Sequence, residues 1–434
     1  MRIAVSLPNL PGTAIERQQI EAAVSELGKL VHVEVFLEAS RLLDGELPAR
    51  AYHYLRLPER HATDPFDAAL HIVGRDFRPY EVGVLMARRL PSVVWLLDTM
   101  THHVLVGGLA PHGRWDRYGE ILSEQNENGD AIAATIASGW GTRALFRTRD
   151  PLPVALGREN RMLAANAEVA GGLSFDAPVV PLPTDIPALR RRLRRMEKVE
   201  TVAVVAPNLS WPGPELRALR ALLRARPDVR VRYHLIKWFE GAVLGPARTL
   251  GVADEIEWII EDGIEERPTV ADSADVVVAS TGDPTLNDRG LVYRAMAAGQ
   301  VVVVMRAPAW DSLPGGAVVV LEPGREREAG LRETLLALVD DPALAKGVGA
   351  AAATHGGGVG AQETASLLLD QLKARVARRP LKLRRTAAAA VDRARELMVD
   401  YCTPHNASQT TRGLIGSRID GILPDAAGPL AWRQ

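Results

Sequence analysis

The chain has 434 residues, more than one ordinary hydrophobic core organises, so two domains are expected. Its net charge of -1, with 47% hydrophobic and 24% charged residues, is typical of a soluble globular protein and gives no overall field that would attract nucleic acid. No apolar run approaches the roughly 20 residues of a membrane helix, and the first residues predict a strand rather than a signal peptide. The single cysteine, Cys402, excludes an internal disulfide and a multi-cysteine zinc site, and we expect a reducing, cytoplasmic location.

Short apolar runs alternate with amphipathic stretches in the first half, which predicts an α/β domain with a mainly parallel sheet. A helix is expected over Ala14–Leu30, after the loop that contains Gly12. The expected strands are Ile3–Leu7, Val31–Phe36, Ala51–Leu55, Ala68–Val73, Ser92–Leu97, Ala131–Ala137 and Pro178–Leu182. Of these, Ala131–Ala137 also fits a helix.

A basic run, Arg190–Arg195, separates this half from the next. We favour a solvated helix face beside a hinge for it, and a phosphate-binding patch is the alternative.

A second α/β pattern begins after the basic run. Its expected strands are Thr201–Ala206, Val229–Leu235, Ile256–Ile260, Val276–Ala279, Val301–Met305 and Ala317–Leu321. Its expected helices are Gly213–Ala225, Gly330–Leu338, Ala361–Ala377 and Ala387–Val399, with a break at Gly356–Gly358. A βα series that restarts after a linker predicts two doubly wound domains. We expect an N-terminal Rossmann-like domain at 1–185, a linker at 186–200, a second such domain at 201–355, and C-terminal helices and a tail at 356–434.

The segment from Ser280 to Gly299 is the most informative part of the sequence. It predicts a loop, a helix that opens near Asn287–Asp288, a stop at Gly299, and then the buried strand Val301–Met305. A helix N-terminus carries unpaired N–H groups and about half a positive charge, so it can hold a diphosphate.

The frame Ala295-Met-Ala-Ala-Gly299 resembles the donor-binding segment of GT-B glycosyltransferases of the retaining, family 4 type. Other patterns in the order that this family shows are Phe66–Asp76, Leu90–Asp98, Thr101–Leu105 and Val179–Asp185. The resemblance covers about residues 1–350. It implies two Rossmann-like domains facing a cleft, with the first binding the acceptor and the second the nucleotide-sugar donor.

The resemblance also implies donor contacts in the second domain. The two glutamates of the family pattern are replaced, with Asn287 at or near the first position and Arg294 near the second. Asn287 can hydrogen-bond a hydroxyl, Asp288 offers a carboxylate one residue on, and Thr281 lies in the preceding loop. Arg294 reverses the charge of the family residue; it either pairs with a phosphate or faces solvent.

The family uses a lysine or arginine after the first strand of the second domain to hold the phosphates. That loop has no cation here, so Arg217 in the following helix and Lys237 after the next strand are the candidates. Each is alternatively an ordinary surface cation.

On the other side of the expected cleft, the family histidine is Leu97, which leaves Asp98 as a catalytic candidate. His102 is the second catalytic candidate, or a structural residue at a helix start. Gly12 permits close approach of an acceptor or phosphate, or simply serves a tight turn.

Arg75 and Asp76 complete the acceptor candidates, since we expect them to end a parallel strand at the carboxyl edge, where doubly wound sheets bind ligands.

We therefore expect metal-independent glycosyl transfer from a nucleotide-diphosphate sugar to an unknown acceptor, with no cofactor, no nucleic-acid partner and no integral membrane segment. Because four polar positions of the family pattern are changed, the alternative is a catalytically inactive, glycosyltransferase-like binding or scaffold protein. A sugar-nucleotide enzyme on the same fold, such as an epimerase, is a third interpretation.

Overall fold

The computed structural model describes residues 1–8, 15–37, 50–74, 90–98, 102–109, 113–124, 127–138, 161–173, 175–184, 196–205, 212–237, 240–261, 273–279, 286–307, 310, 313, 315–324, 326–356 and 359–377. The chain forms two compact units. The first takes Met1–Asn9, Val24–Pro181 and the chain from Ala365 onward, and the second takes Leu10–Ala23 and Leu182–Thr364. The four-part division expected from the sequence stays a prediction.

The first unit contains a six-stranded sheet in the order β3-β2-β1-β4-β5-β6. Its strands are β1 (Arg2–Ser6), β2 (His32–Leu37), β3 (Arg50–His53), β4 (Ala68–Val73), β5 (Ser92–Leu96) and β6 (Arg161–Ala164), all paired in parallel. The helices of this half are α1 (Ile15–Leu30), α2 (Leu57–Thr63), α3 (His102–Leu109), α4 (Trp115–Ser123), α5 (Gly129–Ala137) and α6 (Ala167–Gly172), with a 3-10 turn at Tyr54–Arg56. This strand order is that of a Rossmann fold.

The second unit repeats the same plan with the order β12-β11-β10-β7-β8-β9. Its strands are β7 (Thr201–Val205), β8 (Arg230–Ile236), β9 (Ile256–Glu261), β10 (Val276–Ala279), β11 (Val301–Met305) and β12 (Val319–Leu321), again all parallel. The remaining helices are α7 (Gly213–Ala225), α8 (Glu240–Leu250), α9 (Leu286–Ala297), α10 (Arg327–Asp340), α11 (Pro342–Gly356) and α12 (Ala361–Ala377). None of the helices within the described ranges combines the length and the apolar composition needed to cross a bilayer.

The second sheet is buried on both faces, which explains its unbroken valine runs. Val202, Val204 and Val303 point to one face, where α7, α8 and α10 supply the opposing leucines, valine and alanines. Ala203 and Val302 point to the other face, which is covered by apolar residues of α9. Each buried valine contributes roughly 1.5 kcal/mol or more to the stability of this unit.

Helix α9 ends in a tightly specified turn. Gly299 has a φ of 74°, a left-handed conformation that favours glycine. The amide of Gln300 donates to the carbonyl of Ala295 and the amide of Gly299 donates to Met296, the pair of bonds that defines a Schellman motif. The predicted glycine stop is confirmed, and the predicted opening near Asn287–Asp288 agrees with the observed start at Leu286.

Two strand predictions in the first half were wrong. Ala131–Ala137 lies in helix α5, the alternative that the sequence also allowed, and its Ala133 and Ile136 pack with Tyr118 of α4. Pro178–Leu182 is not a strand: only Val179 forms an isolated bridge, to Ala164. Prolines in that segment have no N–H to continue a ladder, so the sheet is completed by β6 instead.

A buried carboxylate lies at the amino-terminal edge of the first sheet. Glu34 of β2 is 1% exposed and accepts hydrogen bonds from Arg2 of β1, at 2.6 Å, and from Arg60 of α2, at 2.9 and 3.0 Å. Burial opposes ionisation, but the hydrogen bonds from Arg60 and Arg2 and their positive charges outweigh it and lower the pKa of Glu34 to about 2. Arg2 also lies 4.0 Å from the centre of the Phe66 ring, so this ion cluster ties β1, β2 and α2 together.

Candidate functional site

Each sheet has one place where its strand order reverses, and ligands of doubly wound folds bind outside the carboxyl ends of the strands there. In the first unit this switch point lies between β1 and β4, and in the second between β7 and β10. The site residues expected from the sequence can therefore be placed relative to these two edges.

Helix α9 follows β10 in the chain, so its first turn comes after a strand that borders the second switch point. Asn287 and Asp288 belong to that first turn. Arg294 lies in the last turn and is only 9% exposed, so the solvent-facing alternative was wrong. A buried guanidinium needs compensating interactions, and Arg294 is engaged in one.

The two candidate phosphate cations lie in different settings. Lys237 directly follows β8 at the carboxyl edge of the second sheet, and its side chain is exposed. Arg217 of α7 is half exposed, and its Nε lies 2.5 Å from a carboxylate oxygen of Glu328 in α10. Glu215, which is buried, and Arg327, which is partly buried, form a second ion pair between the same two helices. Arg217 thus takes part in holding α7 against α10.

Strand ends converge at the carboxyl edge of the first sheet. A Cβ atom added to Gly74, after β4, would lie 3.8 Å from Leu97 and 3.9 Å from Pro8, which follow β5 and β1. The backbone amide of Leu97 donates to the carbonyl of Val73 at 2.9 Å. Asp98, one residue on, is half-buried and is engaged in an interaction. The catalytic candidate Asp98 therefore lies at the carboxyl edge of its sheet.

His102, the other catalytic candidate, opens α3 and is completely buried. Its Nδ1 lies 2.7 Å from the hydroxyl oxygen of Tyr118 in α4, and the two rings meet edge to face. Burial raises the pKa of Tyr118, so its hydroxyl stays protonated and available for this hydrogen bond. These contacts fit the structural alternative for His102, while its role in catalysis stays a prediction.

A second buried histidine was not anticipated from the sequence. His71 of β4 is 3% exposed and pairs in register with Ser6, the last residue of β1, so the two residues flank the first switch point. Its Nδ1 lies 3.2 Å from the Ser6 hydroxyl, and its buried Nε2 has no hydrogen-bond partner among the described residues. Burial lowers the pKa of His71 to about 4, so the ring is neutral at pH 7.

This low pKa predicts a loss of stability in acid. Between pH 6.5 and pH 4 the unfolded chain binds a proton at this position and the folded chain does not, so stability falls as pH falls through that window. At pH 5 the loss from His71 alone is expected to be about 2 kcal/mol. Urea unfolding of the wild type and of His71→Gln at pH 7 and pH 5 measures this loss. Glutamine does not titrate, so the variant should lack the contribution of His71 to the pH dependence of stability. Equal pH dependence of the two proteins would contradict the assignment.

Four site candidates lie outside the described residues. They are Gly12, Arg75, Asp76 and Thr281, and their roles stay predictions.

Several polar groups near these edges were missed at the level of sequence. His71 interrupts the apolar run of β4, and such a polar residue inside a buried strand is the signal that could have found it. The pairing of Arg217 with Glu328 spans 111 positions, so no local pattern shows it.

No protein-family model matches the chain, and no curated protein matches it. Solved structures do match. A glycosyltransferase from Rickettsia africae ESF-5 aligns with a TM-score of 0.56 and 13% identity over 87% of this chain and 99% of its own. WaaG, a glycosyltransferase involved in lipopolysaccharide biosynthesis, gives a TM-score of 0.53 and 13% identity over 85% and 99% of the two chains. Anabaena Alr3699/HepE, in complex with UDP and glucose, aligns with a TM-score of 0.53 and 13% identity over 86% of this chain and 100% of its own.

At these identities the likeness concerns the fold and not the activity. The two six-stranded parallel sheets of Rossmann order match the same architecture along nearly the whole length of the aligned glycosyltransferases. The chain therefore has the GT-B fold, built from two Rossmann-like units with additional C-terminal helices.

Proposed function

We propose that the chain transfers a sugar from a nucleotide-diphosphate sugar to an acceptor that is still to be identified. The observation that carries the proposal is the position of α9. This helix begins at Leu286, after the strand that borders the second switch point, and it carries Asn287 and Asp288 in its first turn. The aligned HepE structure contains UDP and glucose, which supports a nucleotide sugar as the donor.

The proposed transfer requires that the negative charge of the leaving group be stabilised. Breaking the bond between sugar and diphosphate leaves negative charge on the diphosphate, and a helix N-terminus stabilises that charge without a metal ion. Asn287, Asp288 and Thr281 are proposed to orient the donor through hydrogen bonds to its hydroxyls.

Lys237 is the better of the two proposed phosphate cations. It directly follows β8 at the carboxyl edge of the sheet, whereas Arg217 lies within α7. Arg294, near the end of α9, is proposed to add a positive charge behind the donor site. The variant Lys237→Ala, which loses the charge of the lysine, should bind UDP more weakly than the variant Arg217→Ala does.

On the acceptor side we propose Asp98 as the group that contacts the donor sugar or the acceptor hydroxyl. His102, which is held against Tyr118, is the second proposed catalytic residue. Gly12, Arg75 and Asp76 complete the proposed acceptor site. The reducing cytoplasm is the proposed compartment because the chain has one cysteine.

Turnover tests the proposal. Incubation with UDP- and GDP-sugars is expected to release UDP or GDP slowly, with water as the acceptor. Asp98→Ala and Asn287→Ala should each lower the rate about tenfold or more, since each removes a proposed hydrogen bond to the donor or the acceptor. Asp370→Ala, an exposed carboxylate on α12, is the control and should leave the rate unchanged. Release that is absent from the wild type, or unchanged in both variants, would contradict the proposal.

A second candidate is a protein of this fold that binds partners without transferring sugar. Two observations favour it: Arg294 is buried where the family pattern has a carboxylate, and Arg217 is paired with Glu328. A folded wild type that binds no nucleotide would support this candidate.

A further inference from the structure

Trp310 has an unusual environment for a tryptophan. Its side chain is 4% exposed, and its indole Nε1 finds no acceptor among the residues that the structure describes. An indole N–H is a donor only, and a buried donor without an acceptor carries the full cost of its lost hydration. Within the described part of the chain, Trp310 thus presents a buried donor whose hydrogen bond is not made.

The chain pairs other indoles with backbone carbonyls. The Nε1 of Trp95 donates to Val180 at 2.8 Å, and that of Trp258 donates to Ala253 at 2.7 Å. Trp95 is completely buried, so burial by itself does not prevent pairing. Burial alone therefore does not account for the unpaired N–H of Trp310.

That position is at the carboxyl side of the second sheet. Trp310 follows β11, and backbone bonds from Trp310 to Ala307 and from Leu313 to Trp310 hold the turn. The ring belongs to the buried cluster that includes Leu291 and Val292 of α9. It also shares that cluster with the final residues of β7 and β10, the strands that flank the switch point.

We propose that the indole N–H of Trp310 donates a hydrogen bond to an oxygen of a bound nucleoside diphosphate, and so helps to determine donor affinity. A nucleoside diphosphate presents acceptor oxygens on its phosphates, ribose and base, and packing against α9 keeps the ring in one orientation. The inference rests on the proposed function, because it names a binding group for the same donor site.

Trp310→Phe tests the inference, since it keeps an aromatic ring and removes the N–H. Calorimetric titration with UDP and with GDP is expected to show about tenfold weaker binding of whichever nucleotide binds the wild type. Trp258→Phe is the matched control: it removes an indole N–H of the same unit that already has an acceptor. This control should bind the nucleotide as the wild type does, with a lower urea midpoint.

A spectroscopic measurement makes the contact visible. In the ¹⁵N-labelled protein the indole N–H signal of Trp310 is identified by its absence from Trp310→Phe. Addition of the nucleotide should move that signal downfield and protect it from exchange, as a new hydrogen bond does.

The outcomes separate the two proposals. A wild type that binds neither UDP nor GDP overturns both. A wild type that binds one of them, together with unchanged affinity in Trp310→Phe or an unmoved Trp310 signal, overturns the Trp310 inference alone.

Discussion

Replacing Gly349 by alanine is expected to destabilise the second unit by about 3 kcal/mol or more, because the added methyl group meets backbone rather than a flexible side chain. Its Cβ would lie 2.3 Å from the carbonyl oxygen of Gly299. Gly299 follows the last residue of α9, so α11 approaches the end of α9 closely at this point. Relief of the clash must move one of the two helices. Urea unfolding of Gly349→Ala measures the loss.

Gly347→Ala in the same helix is the control for this prediction. A Cβ atom at Gly347 has no neighbouring atom within 4 Å, so the substitution should raise stability by roughly 0.5–1 kcal/mol through helix propensity. Similar unfolding midpoints for the two variants would show that α11 does not press against the end of α9.

Removal of the Glu34 carboxylate is the other substitution with a large expected effect. Glu34→Ala leaves the guanidinium groups of Arg2 and Arg60, which are 13% and 23% exposed, without their common partner. Breaking a buried ion pair from one side typically costs about 3–5 kcal/mol, and the partial exposure of the arginines places this loss near 3 kcal/mol. Denaturant unfolding at pH 7 gives the value.

Acid titration separates charge from packing at this site. The folded pKa of Glu34 is lowered from 4.5 to about 2, so its contribution is complete above pH 4.5 and is lost as pH falls through about 2. Glu34→Gln keeps the shape of the side chain and removes its charge. The stability of this variant should therefore not show the loss in acid that comes from protonation of Glu34. Because the cluster lies at the amino-terminal edge of its sheet, nucleotide affinity of the folded variant should be unchanged. Weaker nucleotide binding by folded Glu34→Gln would contradict that separation.

The local sequence pattern was sufficient to predict many of the strands and helices. The runs Val276–Ala279 and Val301–Met305 are strands with the predicted bounds, because a sheet covered on both faces requires continuous apolar residues. Helix α9 and its stop at Gly299 were also visible, since a left-handed glycine is a local signal. The strand β6, four residues that begin with an arginine, was missed because it is too short to stand out.

The candidate site was less accessible to sequence reasoning. Whether Arg294 faces solvent depends on what packs against α9, and its burial emerged only from the fold. The unpaired N–H of Trp310 and the contact of His71 with Ser6 depend equally on groups that are distant in sequence. The sequence pattern identifies residue types that are suited to binding a ligand. Tertiary packing decides which of these residues already have a hydrogen-bond or ion-pair partner within the protein.

The most direct test of the account is calorimetric titration of the full-length protein with UDP and GDP. We expect saturable binding of one nucleotide at one site per chain, weakened in Asn287→Ala and unchanged in the Asp370→Ala control. Absence of binding by both nucleotides to the folded protein would contradict glycosyl transfer from a nucleotide sugar.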